Sequence, residues 1–203
     1  MALVKGSGIL IKLIIRFIFI IVISVSLFDC AGKSYKKMSI ENPDRLLSIQ
    51  DSLILIRGND NKVLAALAVA NNNVAEKFMN QGDYDLAVNH FSKALTLNES
   101  SIESKYGLLL AEGRLLVKKG NKNGIWDAIE KYSKASSLYP NSGEPFYLTA
   151  LAYTKLGDTD FDLILESYEK SVSLELDERL RAEVVKKYEH AKKRKTKLDS
   201  FWK

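Results

Sequence analysis

The sequence predicts an all-α protein, a solenoid of helix-turn-helix units closed by capping helices. Three observations carry this. Only 3 prolines and 11 glycines interrupt 203 residues, which permits long helices. Apolar and small residues recur at steps of three and four, and those steps place them on one stripe of a helix. The same stripe occurs three times, each time after a glycine-containing turn.

Residues 1–30 predict a targeting segment. Lys5, Lys12 and Arg16 precede an unbroken apolar or small stretch from Phe17 to Phe28. Those 12 residues are too few to cross a hydrocarbon core of about 30 Å as a helix, and they suit the apolar region of a secretory signal. The stretch runs into Leu27-Phe28-Asp29-Cys30, and Cys30 is the only cysteine in the chain. One cysteine excludes an intramolecular disulfide and a cysteine-cluster zinc site. This arrangement resembles the bacterial lipoprotein signal, which implies that Cys30 is lipid-modified and becomes the new N-terminus. Asp29 departs from that pattern, which has a small residue there. The alternative is an uncleaved anchor from about Ile9 to Phe28, with Lys12 and Arg16 inside it at a cost in the bilayer. Both readings place residues 31–203 outside the cytoplasm, facing the periplasm, at a membrane surface. Gly32-Lys33-Ser34 looks like the end of a phosphate-binding loop. The loop's earlier glycine is missing, because Leu27 stands there.

Residues 31–60 read as a spacer and an N-terminal capping helix. Asn42-Pro43-Asp44 predicts a capped start, with a capping side chain followed by proline in the first turn. Leu46, Leu47, Ile49, Leu53, Ile54 and Ile56 give an apolar face, and Gly58-Asn59 predicts its end.

Residues 61–176 hold the three units. The first follows Gly82-Asp83 with Ala87, Phe91, Ala94 and Leu97. The second follows Gly124 with Ala128, Tyr132, Ala135 and Leu138, and the third follows Gly157-Asp158 with Ile164, Tyr168, Ser171 and Leu174. A second amphipathic segment precedes each: Val74, Ala75 and Phe78, then Tyr106 to Val117, then Phe146, Ala150 and Tyr153. This helix, turn, helix theme resembles the tetratricopeptide repeat, a motif with a 34-residue period. Asp83 and Asp158 suit helix N-caps, and Pro140 suits the break between units. The second unit holds about seven extra residues, close to two helical turns. They either lengthen its first helix or enlarge the Gly120–Gly124 turn.

Residues 177–203 read as a basic C-terminal capping helix, with Leu180, Val184, Val185, Tyr188 and Ala191 along one side. The segment holds ten basic and five acidic side chains, whereas residues 31–176 are slightly acidic. Basicity confined to the ends argues against a nucleic-acid-binding body. The run Lys186-Lys187, Lys192 to Lys195 and Lys197 reads as a solvated helix face, then as a contact for anionic lipid headgroups.

No catalytic, metal or cofactor motif is found. His90 beside Phe91 reads as a packed or exposed histidine, and His190 lies among lysines, a poor place for a metal cation. The expectation is a protein that is not an enzyme. The tetratricopeptide resemblance implies a groove lined by the first helix of each pair. At matching positions this face holds Asn72, Glu76, Met79 and Asn80, then Tyr106, Leu110 and Arg114, then Tyr147, Leu151 and Lys155. Some members of that family grip a C-terminal carboxylate with basic and asparagine side chains. The matching positions here are Asn72, Glu76, Gly107, Glu144 and Leu148, so that specificity is not implied. The expected function is a membrane-tethered adaptor that binds a protein or peptide, with Tyr147 as its foremost anchor. The alternative is a carrier of a small apolar ligand.

Overall fold

The computed structural model describes residues 34–58, 60–157 and 161–201. Cys30, Asn59, Asp158 and the rest of residues 1–33 lie outside the described residues, so the readings placed on them receive no structural account. No described helix is long and apolar enough to cross a membrane. The chain divides into two compact units, Met1–Ala70 and Asn71–Lys203.

In the first unit residues 34–41 are helical. They are followed by α1 (Pro43–Ser48) and α2 (Gln50–Arg57). One helix from 43 to 57 was expected, and the structure breaks it at Ile49. There the backbone φ is −111° and the Ile49 amide donates to Leu46, three residues back, at 3.3 Å. That tightened turn interrupts the regular four-residue spacing. Asn42 stands at the N-cap, but its side chain makes no capping hydrogen bond, and Pro43 alone marks the start. Leu46, Val63 and Leu67 are completely buried.

Helix α3 (Asn61–Gln81) leads into the second unit, where the helices follow in antiparallel pairs. These are α3 with α4 (Tyr84–Leu97), α5 (Ile102–Lys119) with α6 (Lys122–Leu138), and α7 (Glu144–Leu156) with α8 (Phe161–Ser173). A long α9 (Glu178–Phe201) closes the described chain. Gly82, Gly120 and Gly157 follow the first helix of each pair with positive φ. At Gly120 φ is 76°, the left-handed conformation that ends a helix at little cost only in glycine.

This corrects the turn of the second pair. Gly124 is not a turn residue but lies inside α6, where its N–H donates to Asn121 Oδ1 at 2.6 Å. Asparagine is a strong N-cap, so the helix starts at the first place the chain offers one. The extra residues of this unit therefore extend helices. Its α5 has 18 residues and α6 has 17, against 13 each in α7 and α8. The turn itself is not enlarged.

The repeated stripe is the core. Ala87, Phe91 and Ala94 are buried, as are Ala128, Tyr132 and Ala135, then Ile164, Tyr168 and Ser171. Small residues let helix axes approach, and each aromatic ring fills the space beside them. At the far end Val184 and Ala191 of α9 join the same cluster as Tyr168 and Tyr147. Val185, expected on that inner side, is exposed instead, because the stripe of α9 runs through 184, 188 and 191 and leaves 185 a quarter-turn away. Arg181 fastens the end of α8, donating to the carbonyls of Val172 at 3.1 Å and Leu174 at 2.8 Å. These are carbonyls that a helix C-terminus leaves without an internal partner.

Candidate functional site

The first helices of successive pairs stand side by side, and three side-chain contacts define the face they form. Ser104 of α5 donates its hydroxyl to Asn72 Oδ1 of α3 at 2.9 Å. Arg114 of α5 pairs with Glu144 of α7, Nη2 to Oε1, at 3.0 Å. Tyr147 of α7 donates its hydroxyl to Glu183 Oε1 of α9 at 2.6 Å. The structure thus brings together residues from 72 to 183 on one side of the stack.

The predicted lining residues divide into three groups. Glu76, Asn80 and Lys155 are exposed, while Asn72, Met79, Tyr106, Arg114 and Leu151 are half-buried. Leu110 and Tyr147 are each only 3% exposed. That corrects the reading of Tyr147 as the foremost anchor, because little of its ring is open to a partner. Its ring lies 6.2 Å from that of Tyr168, and its hydroxyl is occupied by Glu183, so it supports the face from beneath. Burial pushes its ionisation well above the ordinary tyrosine range, and the Glu183 contact adds to that. Tyr106 is held likewise, edge-on to Tyr139 at 4.8 Å with its hydroxyl 2.9 Å from Ser142 Oγ.

A charged cluster occupies the middle of the face. The Arg114 guanidinium sits 6.0 Å from the centre of the Tyr84 ring, and its buried Nε has no hydrogen-bond partner. One helical turn on, Lys118 lies 5.6 Å from the same ring and donates to the Gly82 carbonyl at 3.0 Å. Across from Arg114 stands Glu76. Its carboxyl is held above its ordinary 4.5 by desolvation, then by the charge of Glu144, with Arg114 pulling the other way. Two acids, Glu76 and Glu144, and two cations, Arg114 and Lys118, are thus gathered on this patch. Tyr84, Lys118 and Glu183 were not anticipated. They come from a second helix, from the end of α5 and from α9, and only tertiary packing brings them to this face.

His90 packs as expected, with Nδ1 2.9 Å from Asn71 Oδ1 and its ring stacked on Phe78. Among the described residues no group of three or more histidine, cysteine or acidic side chains is placed to hold a metal ion.

With this geometry in place, comparison with known proteins is informative about the fold. The structure is similar to the crystal structure of yeast Tom70, with a TM-score of 0.50 at 21% identity. The match covers 85% of this chain and 38% of that one, so the chain spans well under half the length of that relative. It is also similar to MamA from Desulfovibrio magneticus RS-1, at 23% identity and TM-score 0.47, covering 83% of this chain and 93% of that one. A thermophilic TPR protein of Thermus thermophilus, TTC0263, matches at 15% identity and TM-score 0.42, covering 85% and 94%. No family model matches the sequence, and no curated protein matches it. The architecture is a tetratricopeptide-type solenoid. Likeness at this level speaks for the arrangement of helix pairs, and a fold does not name a ligand.

Proposed function

We propose that the protein is a non-enzymatic adaptor, held at a membrane by its N-terminal segment, that binds an extended segment of a partner protein across the face of α3, α5 and α7. The observation that carries this reading is the cluster of Glu76, Arg114 and Glu144. It places clustered charge, and an arginine Nε without a hydrogen-bond partner, in the middle of a face otherwise lined by Asn80, Met79, Tyr106 and Lys155. Charge fixes register and speeds encounter, while mixed apolar and amide surroundings suit an extended chain. Tethering rests on the apolar stretch before Cys30, and it confines the search to partners at the same membrane.

A photo-crosslinking residue placed at Asn80 tests the face, with one at Lys134 of α6 as the comparison. Both positions are exposed. The expected result is a discrete partner adduct from position 80 and none from 134, lost on Glu76→Lys. Equal adducts from both positions would overturn the assignment. Metabolic labelling with a fatty-acid analogue checks the tether separately. Label is expected on the wild type and not on Cys30→Ser.

A further inference from the structure

Among the described residues the most exposed aliphatic side chains all lie in the first unit. Leu55 is 87% exposed, Ile56 78% and Ile40 63%, whereas no exposed aliphatic residue of α3 to α9 exceeds 49%. Single exposed leucines are ordinary. Here two large aliphatic residues stand side by side at the end of α2, and Ile54 next to them is open as well. Helix geometry keeps them out of the core. Gln50, Leu53 and Arg57, at steps of three and four, form the shielded side of α2. Leu55 falls opposite that line and Ile56 about a quarter-turn from it.

Charge does not select the occupant of this surface. Residues 34–60 hold four basic side chains (Lys36, Lys37, Arg45, Arg57) and four acidic ones (Glu41, Asp44, Asp51, Asp60). Lys37 pairs with Glu41 at 3.7 Å, and Arg57 with Asp60 at 3.0 Å. What the end of α2 offers is aliphatic surface without net charge around it.

Its place in the chain says what covers it. Phe28 ends the apolar stretch, and Ser34 begins the first described helix six residues later. Six residues, fully extended, span at most about 21 Å. Given the membrane tether proposed above, on which this inference rests, the start of the first unit is held within that distance of the bilayer. We infer that the end of α2 inserts into the membrane interface, with Leu55 and Ile56 seated at the boundary between headgroups and acyl chains. Interfacial segments bury their apolar side chains about 5–10 Å into that boundary. A second copy of the chain is a poorer occupant. A stable protein interface takes about 800 Å² and roughly 20–30 residues from each partner, and this surface supplies Ile54, Leu55 and Ile56.

The test uses the purified full chain in phosphatidylcholine nanodiscs. A diazirine-bearing amino acid replaces Leu55 in one variant and Leu86, an exposed leucine of α4, in another. Adducts formed on illumination are read by mass spectrometry. Position 55 is expected to give about tenfold more phospholipid adduct than position 86, the discrimination that burial of one leucine side chain supplies. Adding Ile56→Asp to the position-55 variant should lower its lipid adduct while the circular dichroism spectrum stays unchanged, because neither side chain is in the core. Equal lipid adduct from the two positions, or an adduct that Ile56→Asp leaves unchanged, would overturn the inference. So would a chain-to-chain adduct from position 55, which would make a second copy the occupant. Co-migration of the chain with the nanodiscs on size exclusion reads the tether by itself. A chain that co-migrates but gives no lipid adduct at position 55 overturns the insertion of α2 and leaves the tether standing. A chain that does not co-migrate overturns both.

Discussion

Gly107 of α5 lies directly against Phe91 of α4. A Cβ built on that glycine would stand 2.3 Å from Cε1 of the ring. Gly113 bears the same relation to Tyr132 of α6, again at 2.3 Å. Both rings are fully buried, so neither can swing away without disturbing its neighbours. The two glycines let α5 approach the helix on either side of it, and the aromatic of the repeat fills the groove so formed.

This contact makes a counter-intuitive prediction. On helix propensity alone, Gly107→Ala would stabilise by about 1 kcal/mol. Overpacking a close-packed site costs about 1–3 kcal/mol and should win. A lower thermal midpoint by circular dichroism is therefore expected for Gly107→Ala. Adding Phe91→Leu should recover part of the loss, because the smaller side chain vacates the clashing volume. A raised midpoint in the single variant would contradict the packing of α4 against α5.

Helix caps supply a paired test. The Asn121 side chain caps α6, and Ser101 caps α5 by accepting from the Ser104 amide at 3.1 Å. Asp83 occupies the N-cap of α4 but makes no such hydrogen bond. Asn121→Ala should cost about 1 kcal/mol, as should Ser101→Ala. Asp83→Ala should cost measurably less, leaving only its favourable charge at the helix N-terminus to be lost. Denaturant midpoints for the three variants decide it, and equal losses would show that Asp83 does cap its helix in solution.

Glu76 predicts a pH-dependent stability difference. A carboxyl whose folded pKa is raised binds its proton more readily in the native state than in the unfolded chain. Its contribution to stability therefore declines as pH rises from 4.5 through the raised value, and the ionised form is the unfavourable one. Glu76→Gln removes that penalty. Its thermal midpoint should exceed that of the wild type at pH 7, and the difference should vanish below the ordinary pKa of 4.5. A variant less stable than wild type at pH 7 would show that the attraction of Arg114 outweighs desolvation and Glu144.

The helix pairs were legible from residue spacing because a packed helix needs the same face apolar every three or four residues. Phe91, Tyr132 and Tyr168 lie on that pattern and are all buried. The turn of the second pair was misread because Gly120 and Gly124 are equally plausible breaks in one dimension. The choice depended on which residue could cap, and Asn121 could. Of the site, the positions on α3, α5 and α7 followed from the repeat. Which of them reach the surface did not. Tyr106 and Tyr147 occupy matching places on their helices, yet the first is half-buried and the second, whose hydroxyl meets Glu183 of α9, is only 3% exposed.

The sequence by itself determined the all-α architecture, the three repeated pairs and the small-aromatic stripe between them, because each depends on local periodicity and turn chemistry that neighbouring residues carry. Only the tertiary structure decided the charged cluster around Arg114 and the burial of Tyr147. Those depend on how helices far apart in the chain splay or close, and that is set by side-chain volumes meeting across interfaces such as Gly107 on Phe91. No stretch of sequence read along its own length contains both sides of such a contact.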